Sequence, residues 1–274
     1  MIVGMDHFVG ERQAQILAEL RVKGRVSAQE LALAFDVSED TVRRDLREMA
    51  ARGECERVYG GALLPGAKTV PLRTRMDEQP DRKAMLGEMA AGLLVEGSVV
   101  FFDAGSTNLA IARSLPDGLR LTAVTNTPVI AAELAGRAGI ELVVIGGRVD
   151  PAVGAAIDAT AIRQLETMRP DLCILGACGL TLEDGLAADV FEDAAFKRLA
   201  CAAAKRSLAA ITTDKLGHRA AFHVHDLAAP LSLVLEADAD VALVEQVVRQ
   251  GVEAHRCEAV TEIKDKKAAR GNAP

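Results

Sequence analysis

Three apolar-periodic segments open the chain. From Glu11 to Lys23 the apolar residues Ile16, Leu17 and Leu20 recur at i, i+1, i+4, which predicts a helix ending at Gly24. Ser27-Ala-Gln-Glu30 has the spacing of a capping box, in which hydroxyl and carboxylate satisfy opposite orphan amides. It opens a short helix carrying Leu31, Ala32 and Phe35. Asp36-Val37 supplies a turn, and Ser38 caps a third helix from Glu39 to about Ala51. On that helix Val42, Leu46 and Met49 form one buried stripe at i, i+4, i+7. After Arg52-Gly53, the stretch Glu54 to Tyr59 and then Gly60-Gly61-Ala62 reads as a β-hairpin.

Leu64-Pro-Gly-Ala-Lys-Thr-Val-Pro71 is rich in breakers and marks a connection between domains, extended by the polar run through residue 82. Helix periodicity returns from Lys83 to Val95. Four strand-to-loop units follow. Ser98–Phe102 ends in Asp103-Ala-Gly-Ser-Thr-Asn108, with a helix over Leu109–Leu115; Leu121–Val124 ends in Thr125-Asn126, with a helix over Val129–Ala138. Glu141–Ile145 ends in Gly146-Gly147, and Asp171–Leu175 in Gly176-Ala-Cys-Gly179. Apolar strands that finish in Gly, Ser, Thr or Asn and lead into helices describe a mostly parallel sheet, with ligands at the strands' carboxyl ends. The expected fold is α/β: a small helical and hairpin domain over residues 8–63, a linker over 64–82 and a larger α/β domain over 83–260. The tail 261–274 is polar, without period, and is expected to be disordered.

Composition narrows the classes. Aromatic residues make up only 3% of the 274, so the core must be built from Ala, Val, Leu and Ile. The five cysteines are odd in number and lack Cys-x-x-Cys pairing, which suits a reducing cytoplasm better than a disulfide framework. Asp6, Glu11, Arg12 and Glu19 interrupt any apolar signal-peptide core, and no run reaches the length of a membrane span. The net charge of −7 argues against a uniformly basic nucleic-acid binder. Residues 1–64 hold nine Lys/Arg and eleven Asp/Glu, a balance of −2, so DNA binding there requires positive charge gathered on one face.

The third helix offers such a face. Its apolar stripe leaves Thr41, Arg43, Arg44 and Arg47 elsewhere, and Ser38 sets its N-terminus toward a groove. The planar fork of arginine reaches guanine edges and phosphates, and Arg57 on the hairpin would touch the backbone beside the groove. The alternative is a protein-binding winged helix with solvated arginines. Several runs resemble the DeoR-type helix-turn-helix: Arg12-x3-Ile16, Gly24-x-Val26-x3-Glu30-Leu31-Ala32, Val37-Ser38-x2-Thr41-Val42-Arg43-Arg44-Asp45-Leu46 and Arg57-Val58-Tyr59-Gly60-Gly61-Ala62. Tyr59 stands where that family commonly has His, and Met49 where it has Leu. The resemblance implies a winged helix-turn-helix on double-stranded operator DNA, with Ser38, Thr41, Arg43, Arg44, Arg47 and Arg57 as contacts.

In the larger domain, the loop after the first strand carries the clearest chemistry. Gly105 lets a backbone approach a ligand closely, the amides that follow point from a helix start, and Ser106 and Thr107 add hydroxyls. Together they can cradle a phosphate, while Asp103 accepts from a sugar hydroxyl; a plain helix-capping turn is the alternative. The order of loops resembles the effector domain of DeoR-type regulators, similar in fold to ribose-5-phosphate isomerase and the coenzyme A transferases. That resemblance runs from about residue 8 to 260. It implies a pocket for a phosphorylated sugar or related metabolite, made by Asp103, Gly105, Ser106, Thr107, Asn108, Thr125, Asn126, Gly179 and Lys215. It also implies a ligand-responsive repressor that is a homo-oligomer, dimer or tetramer. Two departures stand out: Thr212-Thr213-Asp214-Lys215 replaces the family's Asp-Ser-Ser-Lys, and Leu235-Glu236 replaces a common Thr-Asp pair.

Other chemistry is weaker. An isomerase of this fold needs a carboxylate base near the phosphate loop, yet the corresponding stretch reads Gly176-Ala-Cys-Gly179. Cys178 has no His nearby in sequence, and His223-x-His225 lacks further metal ligands. Lys197 and Arg198 belong to a helical stretch resembling the family's Glu-x-x-x-Lys-Arg pattern, equally suited to a solvated or salt-bridged face and to a ligand. No enzyme activity, cofactor, metal or membrane association is expected. A sugar-phosphate enzyme with a DNA-binding head and a ligand-independent DNA-binding protein remain as alternatives.

Overall fold

The computed structural model describes residues 3–23, 25–58, 60–63 and 70–258. The chain divides into two compact units, the first made by the residues up to Val70 with the short segment Gly217–Arg219, the second by the other residues from Pro71 on.

The first unit runs α1 (Val3–Lys23), β1 (Arg25–Ser27), α2 (Ala28–Phe35), α3 (Glu39–Ala51), β2 (Glu56–Val58) and β3 (Gly61–Leu63). Its core is the set the periodicity marks: Ile16 and Leu20 from α1, Leu31 and Ala32 from α2, and Val42, Leu46 and Met49 from α3, joined by Val26, Cys55 and Ala62. Ser27 Oγ accepts from the Glu30 amide at 3.5 Å, the serine half of the expected capping box, and Ser38 Oγ accepts from the Thr41 amide at 3.2 Å, the expected cap of α3. The turn between α2 and α3 rests on Asp36 at φ 52, a left-handed conformation that Asp tolerates better than branched residues. The helix α1 begins well before the expected Glu11. The wing is also larger than the expected hairpin, because β3 lies between β1 and β2 and is antiparallel to both. With three residues and one central apolar position, β1 is too short to show a period. Gly24 and Tyr59 lie outside the described residues.

The second unit begins with α4 (Leu72–Met76) and α5 (Pro80–Ala91), followed by β4 (Val99–Phe102), α6 (Ser106–Arg113), β5 (Leu121–Thr125), α7 (Pro128–Leu134) and β6 (Ile140–Val144). A hairpin of β7 (Val149–Asp150) and β8 (Ala155–Ala156) leads to α8 (Ala159–Glu166), β9 (Leu172–Leu175), β10 (Gly179–Thr181), β11 (Gly185–Ala188) and α9 (Phe191–Ala203). Then come β12 (Ser207–Ile211), a 3-10 turn (Thr213–Lys215), β13 (Phe222–His225), β14 (Leu231–Leu235), α10 (Val241–Arg249) and β15 (Glu253–Arg256). Part of the expected linker is therefore structured: α4 lies inside 64–82, and α5 starts at Pro80. The expected tail, 261–274, lies outside the described residues.

Seven strands form one sheet in the order β15-β14-β12-β9-β4-β5-β6, parallel throughout. Successive strand residues divide between its faces with period two. Phe101, Cys173, Leu175, Ala209 and Ile211 join one buried cluster with Ala161, Leu165, Ala194, Phe196, Ala200 and Val247 of α8, α9 and α10. Val100, Phe102, Leu172, Ile174 and Leu208 join another with Leu86, Ala90, Ile111, Ile130 and Leu134 of α5, α6 and α7. Burial on both faces is what makes such strands near-continuously apolar. From β4 the chain adds β5 and β6 on one side and β9, β12, β14 and β15 on the other, so the strand order reverses between β4 and β9. Crevices of this kind hold ligands in open α/β sheets.

An ion-paired network between α1 and α3 adds to the apolar core of the first unit. Asp45 is 2% exposed on α3, and Arg12 of α1 donates to both its oxygens, at 2.5 and 3.2 Å. Gln13 adds a 3.2 Å bond to the same carboxylate and a 3.0 Å bond to Glu48. Asp45→Ala leaves the Arg12 guanidinium half-covered without its acceptor; the expected cost is roughly 2–3 kcal/mol, the range for hydrogen bonds to charged groups. Chemical denaturation of the full-length variant checks this, and an unchanged midpoint for the first unit's transition would refute the structural role of the pair.

Candidate functional site

On the first unit, the arginines expected at DNA are all exposed. With about 100° of rotation per residue, Arg43, Arg47 and Arg44 fall within about 100° of arc on α3, opposite Val42, Leu46 and Met49. Ser38 and Thr41 lie at the start of the same helix, their hydroxyls 2.9 Å apart in a shared hydrogen bond. Arg57 is exposed on β2. Two acidic residues enter this face: Arg43 donates to Glu39 at 2.7 Å and lies 3.9 Å from Asp40. An exposed pair of this kind is worth up to about 1 kcal/mol, whereas a bidentate contact to a base discriminates by about 1–3 kcal/mol. The pair with Glu39 is thus only a weak hold on the Arg43 side chain. Arg52, by contrast, is engaged by Glu54 and Gln13.

In the second unit, the switch point gathers most of the residues expected at a ligand. Asp103 follows β4 and is fully buried. Its Oδ2 accepts from the Gly176 amide at 2.8 Å, at the end of β9, and from Lys197 Nζ at 2.6 Å. Lys197 is itself 2% exposed and lies 2.9 Å from Asp193 Oδ1, an ion pair without hydrogen-bond alignment. Burial opposes the charge on Lys197, but the two carboxylates outweigh it and hold its pKa above the ordinary lysine value. Burial also pushes the Asp103 carboxyl up, against the pull of Lys197. Of the alternatives for Lys197, the solvated face is excluded. Asp193 and Lys197 were not among the expected site residues; their i, i+4 spacing on one helix is the signal that points to them.

The remaining residues separate into builders and open groups. Asn108 donates to the Asp103 carbonyl at 2.8 Å and the Ile174 carbonyl at 3.3 Å, stapling the α6 entry to β9. Thr125 Oγ1 donates to the Phe102 carbonyl at 2.8 Å and accepts from the Thr127 amide, so its side chain holds β5 to β4. Gly179 opens β10 opposite Ala187. Gly105 has an extended φ of 173°, which any residue adopts; a Cβ there would stand 3.3 Å from the Asn108 amide, so its value is space. Lys215 Nζ donates to the Ala177 carbonyl at 2.9 Å, next to Gly176. Among the described residues, four buried side-chain atoms have no hydrogen-bond partner: Asp103 Oδ1, Thr107 Oγ1, Asn126 Oδ1 and Asp193 Oδ1. Phe102 and Thr125 are register partners, so Asp103 and Asn126 follow neighbouring strand ends. The α6 helix begins at Ser106 with no side-chain cap, rather than at the expected Leu109. A helix start with free amides beside unpartnered acceptors can take an anion and hydroxyl donors together.

Two other candidates lose their chemistry. Burial raises the Cys178 thiol to about 11, so it is protonated at neutral pH and a poor nucleophile. His223 Nε2 faces Asp226 at 3.0 Å and His225 Nδ1 the Asp226 carbonyl at 2.6 Å.

Comparison with known proteins agrees with the two-part reading. The DeoR-like helix-turn-helix domain matches residues 12–67 and the DeoR C terminal sensor domain residues 78–237. The chain is 28% identical over 245 residues to the HTH-type transcriptional repressor GlcR of Bacillus subtilis, covering 89% of this chain and 94% of that one. It is 32% identical over 218 residues to the HTH-type transcriptional regulator GlpR of Haloferax volcanii, covering 76% and 82%. With the glycerol-3-phosphate regulon repressor of Escherichia coli it shares 25% identity over 248 residues, covering 90% and 98%. Ribose 5-phosphate isomerase A from Neisseria gonorrhoeae superposes with a TM-score of 0.38 at 15% identity, over 50% of this chain and 54% of that one.

Lys197→Met strands Asp103 as an uncompensated buried carboxylate, and such losses cost about 3–5 kcal/mol. Adding Asp103→Asn should recover a large part of that cost. Strict additivity of the two substitutions in urea unfolding of the full-length chain would show that the pair is not coupled.

Proposed function

The chain belongs to the DeoR family of transcriptional regulators, and on that footing we propose that it represses a carbohydrate or related metabolic operon, its hold on operator DNA controlled by a phosphorylated sugar. What supports the sensor reading is the meeting of the uncapped α6 start with three buried atoms that lack a hydrogen-bond partner, Asp103 Oδ1, Thr107 Oγ1 and Asn126 Oδ1, beside Asp193 Oδ1, which only the Lys197 charge engages. Phosphate belongs at the α6 amides with Ser106, Thr107 and Lys215. The sugar hydroxyls then donate to Asp103 Oδ1, Asp193 Oδ1 and Asn126 Oδ1. The ligand changes DNA affinity only by favouring one arrangement of the molecule over another. A homo-oligomer would present paired α3 helices to repeated half-sites. All five cysteines are free thiols, as suits a cytoplasmic regulator, and among the described residues no helix is long and apolar enough to cross a membrane.

Thermal unfolding of the full-length protein against glycerol 3-phosphate, glucose 6-phosphate, fructose 1-phosphate and ribose 5-phosphate, each beside its unphosphorylated parent, tests the ligand class. A compound at a hundred times its Kd adds about 2.7 kcal/mol. Stabilisation only by phosphorylated members is expected; stabilisation by the parents alone, or turnover of ribose 5-phosphate, overturns the reading. The variant Arg43→Ala/Arg44→Ala should lose specific binding to DNA fragments selected by the wild type while keeping its unfolding midpoint. An unchanged gel shift would remove α3 from the interface. Lys215→Ala should keep DNA binding and weaken the response to the stabilising compound at least tenfold.

A further inference from the structure

Five residues make α4, far too few to be helical on propensity alone, so its position depends on what it touches. It is also the first element of the second unit after the chain leaves the first. At its start, the Leu72 amide donates to the Ala152 carbonyl at 3.2 Å, and the side chain is 2% exposed. Leu72 sits directly over Gly154: a Cβ at that glycine would stand 2.6 Å from Leu72 Cδ2. At its other end, Lys83 Nζ donates to the Arg75 and Glu78 carbonyls at 2.5 and 2.6 Å, gathering the helix-end acceptors.

The β7–β8 hairpin that carries Ala152 and Gly154 is tied in turn to the ligand site. Asn126 Nδ2 donates to the Ala156 carbonyl at 3.0 Å, and the Ala156 amide to the Asn126 carbonyl at 2.8 Å. Thr127 Oγ1 donates to the Gly154 carbonyl at 2.7 Å. The Asn126 amide therefore has two ends with different duties. Its nitrogen holds the hairpin, while its oxygen, in a residue 1% exposed, has no partner.

We propose that Asn126, the β7–β8 hairpin and Leu72 form the transmission of the sensor, carrying occupancy of the site to α4 and so to the chain that leads to the DNA-binding unit. The inference rests on the reading of the switch point as an effector site. A donor arriving at Asn126 Oδ1 reorients and polarises the amide, and the far end of that amide sets the height of the hairpin under Leu72. Gly154 is essential to the seat, since its φ is +76° and any side chain there meets Leu72. Leu72 and Gly154 are positioning residues; they lie outside the proposed ligand contacts. A five-residue element held by Leu72, Met76 and a few carbonyls belongs to the low-stability end of a fold, where switching segments are drawn from.

Hydrogen exchange on the full-length protein reads this directly, in the peptides covering 71–78 and 149–156. Without any ligand, Asn126→Ala removes one buried hydrogen bond to the hairpin. Exchange in both peptides should rise roughly fivefold, the equivalent of about 1 kcal/mol, while β4 and β9 stay protected. If 71–78 exchanges as in the wild type, the hairpin does not hold α4 and the proposal fails. In the second arm, whichever of the four sugar phosphates named above stabilises the wild type should change exchange at 71–78. Leu72→Ala should abolish that change while the compound still raises the variant's unfolding midpoint; Leu72→Met should restore it. A response at 71–78 that survives Leu72→Ala overturns the route. If none of the four stabilises the protein, the effector reading loses its support and the ligand-free arm still decides whether the site and α4 are joined.

Discussion

A carboxylate buried at the end of β4 is the constraint around which the second unit is arranged. An ionised Asp103 taken fully out of water costs several kcal/mol even after relaxation, so the fold must bring it a cation and a donor. The donor is the Gly176 amide, available because β9 pairs with β4 in parallel and ends beside it. The cation is Lys197, and α9 can deliver it only by lying across the sheet at this point. Phe196, the preceding residue, packs against Phe101 at 6.1 Å between ring centroids. Apolar packing and charge neutralisation thus choose the same placement of the helix. Lys197 answers one oxygen of Asp103 and leaves the other open. The interaction that closes the core is also the one that leaves the site chemically unfinished.

The first unit solves a related problem with the opposite result. Its charge balance is unfavourable for DNA, yet Asp45, Glu48 and Glu54 are engaged within the unit. Arg12 and Gln13 consume Asp45, and Arg52 is consumed by Glu54. What remains outside on α3 is an arc of three arginines, moderated by Glu39 and Asp40. Net charge described this unit poorly because it says nothing of where on the surface the charges lie.

Legibility followed the range of the interactions involved. The helices α2 and α3, their serine caps and their buried stripe were readable because period and cap lie within one element. Four strands of the sheet were readable for the same reason, as was the loop from Asp103 to Asn108. The strand β1 and the hairpin β7–β8 were not, since two or three residues carry no period. Nor could the sequence separate side chains that build the site from those left open to a ligand. Thr125 and Asn108 have the right chemistry but spend it on carbonyls of neighbouring strands, while Thr107 Oγ1 and Asn126 Oδ1 are left without a hydrogen-bond partner. That division depends on register. Asp193 and Lys197 are 90 and 94 residues from Asp103, and only the crossing of α9 over the sheet brings them together.

The two departures in the late loops illustrate the same point from the other side. In sequence, Thr212-Thr213-Asp214 and Leu235-Glu236 are separate irregularities in a familiar pattern. In the fold they touch: Glu236, 2% exposed, accepts from the Thr213 amide at 2.5 Å, and Thr213 Oγ1 donates to Asp238 at 2.7 Å. Arg82 closes the arrangement by donating to both oxygens of Glu236, at 2.6 and 2.5 Å. The turn that carries Lys215 is consequently anchored from beneath by a paired carboxylate. The bond to Glu236 uses the Thr213 backbone amide, the Thr213 hydroxyl adds the bond to Asp238, and together they fix the turn that carries Lys215.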